Sequence, residues 1–233
     1  MKIMSFNTQH CLNYKEQRLD AAIMAETIRA CGADIVALNE MRDAGPYGPQ
    51  TEILSGLTDL PYHYFAKAIE DGEGPYGNGL ISRYPIVCAK TIPVPDPEPR
   101  RFLNGYYETR CLLKARLANG LTVLVIHFGL NADEQENAVK TIMENVTDEK
   151  CILMGDFNVT PDNPVLAPIR AKMRDAAELF DEPLLSFPSD EPTMKIDYVF
   201  VTPDLKVVAA DIPAIVASDH RPHTAELYME EEA

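Results

Sequence analysis

The sequence predicts an α/β protein, and three observations carry that reading. Apolar runs of strand length recur along the chain, and the sharpest, Cys151-Ile152-Leu153-Met154-Gly155-Asp156-Phe157-Asn158, ends in a carboxylate and a carboxamide two residues apart. A stretch with helical spacing separates the first two such runs. The 233 residues contain no repeat, low-complexity block or dividing linker, so residues 1–233 are expected to form a single domain.

In order, Lys2 to Thr8 alternates and reads as a strand with Asn7 at its end. Lys15 to Cys31 carries Leu19, Ala22, Ile23, Ala25 and Ile28 at helical spacing, with Gly32 where a C-cap belongs. Asp34 to Leu38 is a buried strand followed at once by Glu40. Parallel strands joined by a helix bring their ends to one edge, so Asn7 and Glu40 converge there and suit a hard cation such as Mg²⁺. Residues 42–50 and 70–79, rich in Gly, Pro and Tyr, read as loops around a short helix (51–57) and a strand (62–66). Asn78 to Ile86 reads as strand, turn at Arg83-Tyr84-Pro85, strand.

Pro93 to Asn104 holds four prolines and no period, the mark of a long loop that shapes a pocket. Within it Arg100 and Arg101 are candidates for gripping a substrate phosphate. Residues 107–117 and 121–128 are strands joined by Asn119-Gly120, a hairpin signal, and the second ends at His127. A helix over 132–146 follows, then the Asp156/Asn158 run, a further helix over 165–180 and a Pro-rich loop over 184–194. Asp197 interrupts the β-rich run 195–201, where Asp is disfavoured, so a buried Asp there needs a partner. Strands over 205–209 and 222–228 flank Ser218-Asp219-His220, and the acidic tail from Met229 is expected to fray. Taken singly, Asp156 and Asn158 fit a turn as well as a site, Asn7 fits a turn amide, and Arg100 and Arg101 fit solvated charge.

Composition narrows the function. With 21 basic and 36 acidic residues the net charge is −15, which disfavours a polynucleotide backbone as partner. No segment reaches the roughly 18 apolar residues that a membrane helix needs, and the N-terminus lacks a signal-peptide pattern. Five cysteines without a Cys-x-x-Cys pair read as mostly buried, reduced thiols, which fits a cytoplasmic protein. The chain is expected to act as a monomer.

The ordered set Asn7, Glu40, Asn78-Gly79-Leu80-Ile81-Ser82-Arg83, His127, Gly155-Asp156-Phe157-Asn158, Ile196-Asp197-Tyr198-Val199 and Ser218-Asp219-His220 resembles the endonuclease/exonuclease/phosphatase superfamily along nearly the whole chain. Asn39, where many members have Gln, is a departure beside the acid. The resemblance implies a four-layer α-β-β-α sandwich, two mixed β-sheets packed face to face with outer helices. It also implies Mg²⁺- or Mn²⁺-dependent hydrolysis of a phosphate ester by in-line attack of water. Glu40 and Asn7 would hold the metal and Asp219 would reach it. Asp156 would activate the water, Asn158 would bond a non-bridging oxygen, and His220, oriented by Asp197, and His127 would contact the phosphate. Asn78, Arg100 and Arg101 are the substrate-binding candidates. The complete site set and the acidic surface favour a phosphate ester, a diester by expectation with a monoester left open, of a small-molecule or lipid-like substrate; the alternatives are a nuclease and an inactive binding protein.

Overall fold

In a computed structural model, residues 1–102, 105–179 and 184–228 are described. The expected frayed tail lies outside them, as do the ends of the predicted 93–104 loop and 165–180 helix.

The chain opens with β1 (Lys2–Asn7), a small hairpin of β2 (Leu12–Asn13) and β3 (Arg18–Leu19), then α1 (Ala21–Cys31) and β4 (Ile35–Arg42). The predicted helix over 15–31 therefore starts late. Asn13 Oδ1 accepts from the amides of Lys15 and Glu16, which closes a local turn, and the helix begins where the Asp20 carboxylate caps Ala22 and Ile23. Gly32 ends it in the left-handed conformation, as expected.

Next come α2 (Gln50–Thr58), β5 (Tyr62–Asp71) and β6 (Gly74–Ser82). Residues 70–79 are thus mostly strand, not loop. Composition misled here because Gly77 serves close approach: a Cβ on it would collide with the Ala66 carbonyl of β5. Then follow β7 (Ile86–Pro93), β8 (Cys111–Leu117), β9 (Thr122–His127), α3 (Ala132–Met143) and β10 (Cys151–Asp156). The predicted 165–180 helix is broken: α4 covers only Ala167–Arg170, and β11 (Arg174–Asp175) leaves it to join a sheet edge, anchored by a buried Asp175–Lys195 ion pair of 2.9 Å. Three strands finish the chain: β12 (Asp197–Val201), β13 (Val207–Asp211) and β14 (His223–Leu227).

Two six-stranded mixed sheets result, ordered β13-β14-β1-β4-β6-β5 and β11-β12-β10-β9-β8-β7. Each is built on one parallel pair joined by a helix, β1–α1–β4 and β9–α3–β10. Ile3, Leu80, Leu113, Val125, Met154 and Val199 belong to one core between the sheets. A second core packs Met24, Ile28 and Leu54 of α1 and α2 on the first sheet, and a third packs Ala138 and Ile142 of α3 on the second. This is the expected four-layer sandwich. Its consequence is geometric: the C-terminal ends of both parallel pairs open at one edge, with Asn7 opposite Asn39 and His127 and Asp197 both paired with Asp156.

Candidate active site

Two local devices aim side chains into that edge. In β4 a bulge between Leu38 and Met41 puts Glu40 in the left-handed region (φ 58°), so Asn39 and Glu40 leave the regular alternation. In β10, Gly155 has φ 152°, and a Cβ there would run into the Ile126 carbonyl, which lets β9 and β10 close up beneath Asp156. Asn158 also sits at φ 50°. Such conformations cost about 1–3 kcal/mol each and survive where surrounding contacts over-determine them. Here Phe157 supplies part of that hold, with its ring 4.5 Å from Phe128, 5.0 Å from Tyr198 and 5.6 Å from Phe200.

Asp156, 1% exposed, is the hub. Its backbone amide donates to Asn39 Oδ1 (2.9 Å), and its Oδ1 accepts from the Asn158 amide (2.9 Å). Its Oδ2 accepts from Asn7 Nδ2 (3.1 Å) and faces Nε2 of His220 (3.5 Å) and of His127 (3.6 Å). Burial pushes its carboxyl up to about 7, and Asp197 adds to that against the pull of His220 and the amide donors.

The two histidines differ in what stands behind them. Nδ1 of His220 lies 2.8 Å from Asp197 Oδ2, and the Asp197 and Asp156 carboxylates raise its pKa to about 10 against the cost of burial, so it is an imidazolium held between two acids. Behind His127 stands Arg110, whose Nη1 is 3.1 Å from Nδ1. A guanidinium only donates, so Nδ1 accepts and the proton of the neutral ring sits on Nε2, which lies 3.2 Å from Asn158 Nδ2 and 3.6 Å from Asp156 Oδ2. Burial, then Arg110, depress the His127 pKa well below its ordinary value, in agreement.

Glu40 accepts from Asn7 Nδ2 at 2.9 Å. Burial and then the facing Glu40 carboxylate raise the Asp219 carboxyl, so two acids oppose each other at the mouth of the site. That donor set of hard oxygens fits a divalent cation. Asn7 stands between the acids: its Oδ1 accepts from the Gln9 amide (3.1 Å) and its Nδ2 donates to Glu40 and Asp156, two neighbouring carboxylates that need a donor between them. Asp156, Asp197 and His220 also place ligand-type atoms within 4.8 Å of one another, with His220 carrying a proton on Nδ1 for Asp197.

The family model for the endonuclease/exonuclease/phosphatase family matches residues 4–220. The chain belongs to the endonuclease/exonuclease/phosphatase family. Members of this family are hydrolases acting on phosphate esters and generally depend on a divalent metal. A curated relative, the Uncharacterized protein YbhP of Escherichia coli, is 24% identical over 98% of this chain and 96% of its own. A family structure from Beutenbergia cavernae superposes with a TM-score of 0.79 at 22% identity, covering 97% of this chain and 71% of that one. The mannosyl-6-phosphatase of Bacteroides thetaiotaomicron gives 0.77 at 16% identity, with 98% and 100% covered.

Within this family fold, three predicted substrate contacts lie elsewhere. Asn78 is buried between the sheets: its Oδ1 accepts from Asn39 Nδ2 (2.8 Å) and its Nδ2 donates to the Cys111 carbonyl (2.9 Å). Arg100 stacks over Tyr107 at 4.6 Å, and Arg101 pairs with Glu136 at 2.8 Å. Arg101 answers the acids at the N-terminal end of α3, and neither arginine lines the cleft. Conversely, sequence reading passed over Asn39, which also donates to the Ile126 carbonyl (2.9 Å) and so ties the sheets together under Asp156. It missed Arg110 as the partner of His127. It missed His10, whose Nε2 is 3.7 Å from Glu40 Oε2. The signal for Arg110 was present in the charged residues Glu108 and Arg110 beside a strand leading to a hairpin. His10 carried none.

Proposed function

We propose that the protein is a divalent-metal-dependent phosphoesterase that hydrolyses a phosphate ester of a small-molecule or lipid-like alcohol by in-line attack of water. The observation that carries this reading is Asp156, a buried carboxylate with a pKa near neutrality, flanked by one cationic and one neutral histidine. A carboxylate poised near 7 is suited to take a proton from water at working pH. His220 donates from Nε2 as a cation to a phosphoryl oxygen, and His127 donates from Nε2 as a neutral group. The Asn158 amide lines the cleft, with its Nδ2 3.1 Å from Phe128 O and 3.2 Å from His127 Nε2, and would turn one N–H to a non-bridging phosphoryl oxygen as a third donor. Several fixed donors aimed at developing charge form the largest catalytic contribution in sites of this kind. Glu40, with Asn7 beside it, would hold Mg²⁺ or Mn²⁺, and Asp219 would reach the same ion; the Asn7 amide nitrogen also fixes the Glu40 carboxylate. The bound ion supplies charge neutralisation at the phosphoryl oxygens and the leaving oxyanion.

The test is hydrolysis of bis-p-nitrophenyl phosphate and p-nitrophenyl phosphate by protein stripped with chelator, then resupplied with Mg²⁺ or Mn²⁺. Activity should return with the ion and be lost in Glu40→Gln, which should also weaken metal binding by calorimetry. Turnover that is indifferent to chelation would overturn the metal reading. Silence on these esters, plasmid DNA, RNA, inositol phosphates and phospholipids alike would overturn the hydrolase reading.

A further inference from the structure

The cleft extends well beyond the catalytic corner. Its volume is about 520 Å³, in the range of small-molecule sites of roughly 300–1,000 Å³. Its outer wall comes from Arg42 of β4, Asp71 at the end of β5, Tyr76 of β6, and Tyr106, Glu108 and Arg110 in the segment before β8.

That wall is spent in charge. Among the described residues Arg42 and Arg110 are the basic Lys or Arg side chains lining the cleft, and each is answered by acids of the same wall. Arg42 binds Asp71 (2.7 Å) and the Gly74 carbonyl (3.0 Å), with Glu73 at 3.4 Å. Arg110 pairs with Glu108. Both arginines are more than nine-tenths buried, and each keeps an Nε with no protein partner. Tyr106 donates to Glu108 Oε2 at 3.0 Å and leaves its ring 65% exposed, beside Leu130 at 58%. Phe187 and Met194 of the 184–194 loop continue this apolar side, with Phe187 packed 4.7 Å from His220.

Such a wall has hydroxyl acceptors in Asp71 and Glu108, fixed donors in the arginines, and an apolar surface, but no unpaired cation. A group with hydroxyls on its edge and C–H bonds on its face meets all three. A second phosphate would meet carboxylates. A single like charge at about 6 Å, with an effective dielectric near 20, corresponds to roughly a 10²-fold penalty.

Building on the phosphoesterase reading, we propose that the substrate carries one phosphate on an uncharged, hydroxyl-rich ring, a sugar or a nucleoside, and that the wall of Tyr106, Glu108 and Asp71 rejects substrates with a second phosphate. The test compares kcat/KM of the metal-loaded enzyme for glucose 6-phosphate and 5′-AMP with that for glucose 1,6-bisphosphate and 5′-ADP, with p-nitrophenyl phosphate as an ester lacking hydroxyls. A ring monophosphate should exceed both its doubly phosphorylated counterpart and p-nitrophenyl phosphate by about 10²-fold; which ring does so identifies the source. Glu108→Gln and, independently, Asp71→Asn should each narrow the gap at least several-fold, chiefly through KM. Because Asp71 is exposed enough to tolerate Asn, the second variant covers a folding defect in the first. Doubly phosphorylated substrates within about 3-fold of the monophosphates, or an unchanged gap in both variants, would overturn the proposal while p-nitrophenyl phosphate turnover left the hydrolase reading standing. No turnover of any ester removes both.

Discussion

His127 and His220 approach the same oxygen of Asp156 from two sides, at 3.6 and 3.5 Å, and yet they hold opposite charge states. Both rings are buried, so desolvation pushes both toward neutrality. The atom behind Nδ1 decides the outcome. Arg110 can only donate, so the neutral His127 ring carries its proton on Nε2; Asp197 accepts from His220 Nδ1, and its charge with that of Asp156 keeps the ring protonated. The same residue type in the same cleft therefore acquires two roles from partners 17 and 23 residues away in sequence.

The strongest way to break this comparison is to remove the group that both rings face. Asp156→Asn should lower kcat about 10⁴-fold, the upper end for loss of a general base. It should also lower the His220 pKa, read by NMR titration, because one of its two acids becomes neutral. A variant retaining a tenth of the activity would remove Asp156 from the chemistry.

Next in size is Asp197→Asn. It swaps an acceptor-only group for an amide and should cost about 10²–10³-fold in kcat by analogy with loss of one oriented donor. The pH profile sharpens the point. Wild-type activity should rise as Asp156 ionises through about 7 and fall as His220 deprotonates near 10. In Asp197→Asn the alkaline limb should move down by more than one pH unit. An unmoved limb would mean that His220 is not the group titrating there.

A third buried histidine extends the comparison to stability. Nδ1 of His223 faces the Asp197 carbonyl at 3.2 Å, its Nε2 has no partner among the described residues, and burial lowers its pKa to about 4. Above pH 6.5 the ring is neutral in both folded and unfolded chains and makes no pH-dependent contribution. As pH falls from 6.5 to 4 the unfolded chain takes a proton that the fold refuses, so stability declines by about 3 kcal/mol. Urea titrations of His223→Asn, which keeps a donor for the carbonyl but cannot titrate, should show that acid slope flattened. Equal slopes in both proteins would place the acid sensitivity elsewhere.

The smallest effect belongs to Arg110. Arg110→Gln, made with Glu108→Gln so that no carboxylate is left unpaired, should raise the His127 pKa toward 6.5 and mix its tautomers, with a loss of activity on the order of 10-fold. Nitrogen-15 shifts of the ring read the tautomer directly. A ring that stays neutral with Nε2–H in the double variant would show that burial alone sets its state.

Much of this architecture was legible in the chain, and the reason is local. Asn7, Glu40, His127 and Asp156 interrupt or end apolar strand-length runs, and a polar residue at such an end is visible without any partner. Asp197 was visible for the same reason, as an acid inside a β-rich run. The hairpin at Asn119-Gly120 and the cap at Gly32 are likewise written in residues within a few positions of each other. Where composition was read without packing, it failed. Gly77 and its neighbours looked like loop but let β5 and β6 lie close, and the 165–180 stretch gave up helix to pair at a sheet edge through Asp175.

What the sequence by itself determined is the fold class and the order in which strands and helices deliver the candidate residues to one edge. What only the tertiary structure decided is what each of those residues faces. Asn39 and Asn78 bond each other across 39 positions, Asn7 reaches Asp156 across 149, Arg100 stacks on Tyr107, and Arg101 turns to the acids of α3 instead of the cleft. Hydrogen-bond polarity and charge are settled by the nearest partner in space, and between two packed sheets that partner is set by register and layer, which no local stretch of the chain contains.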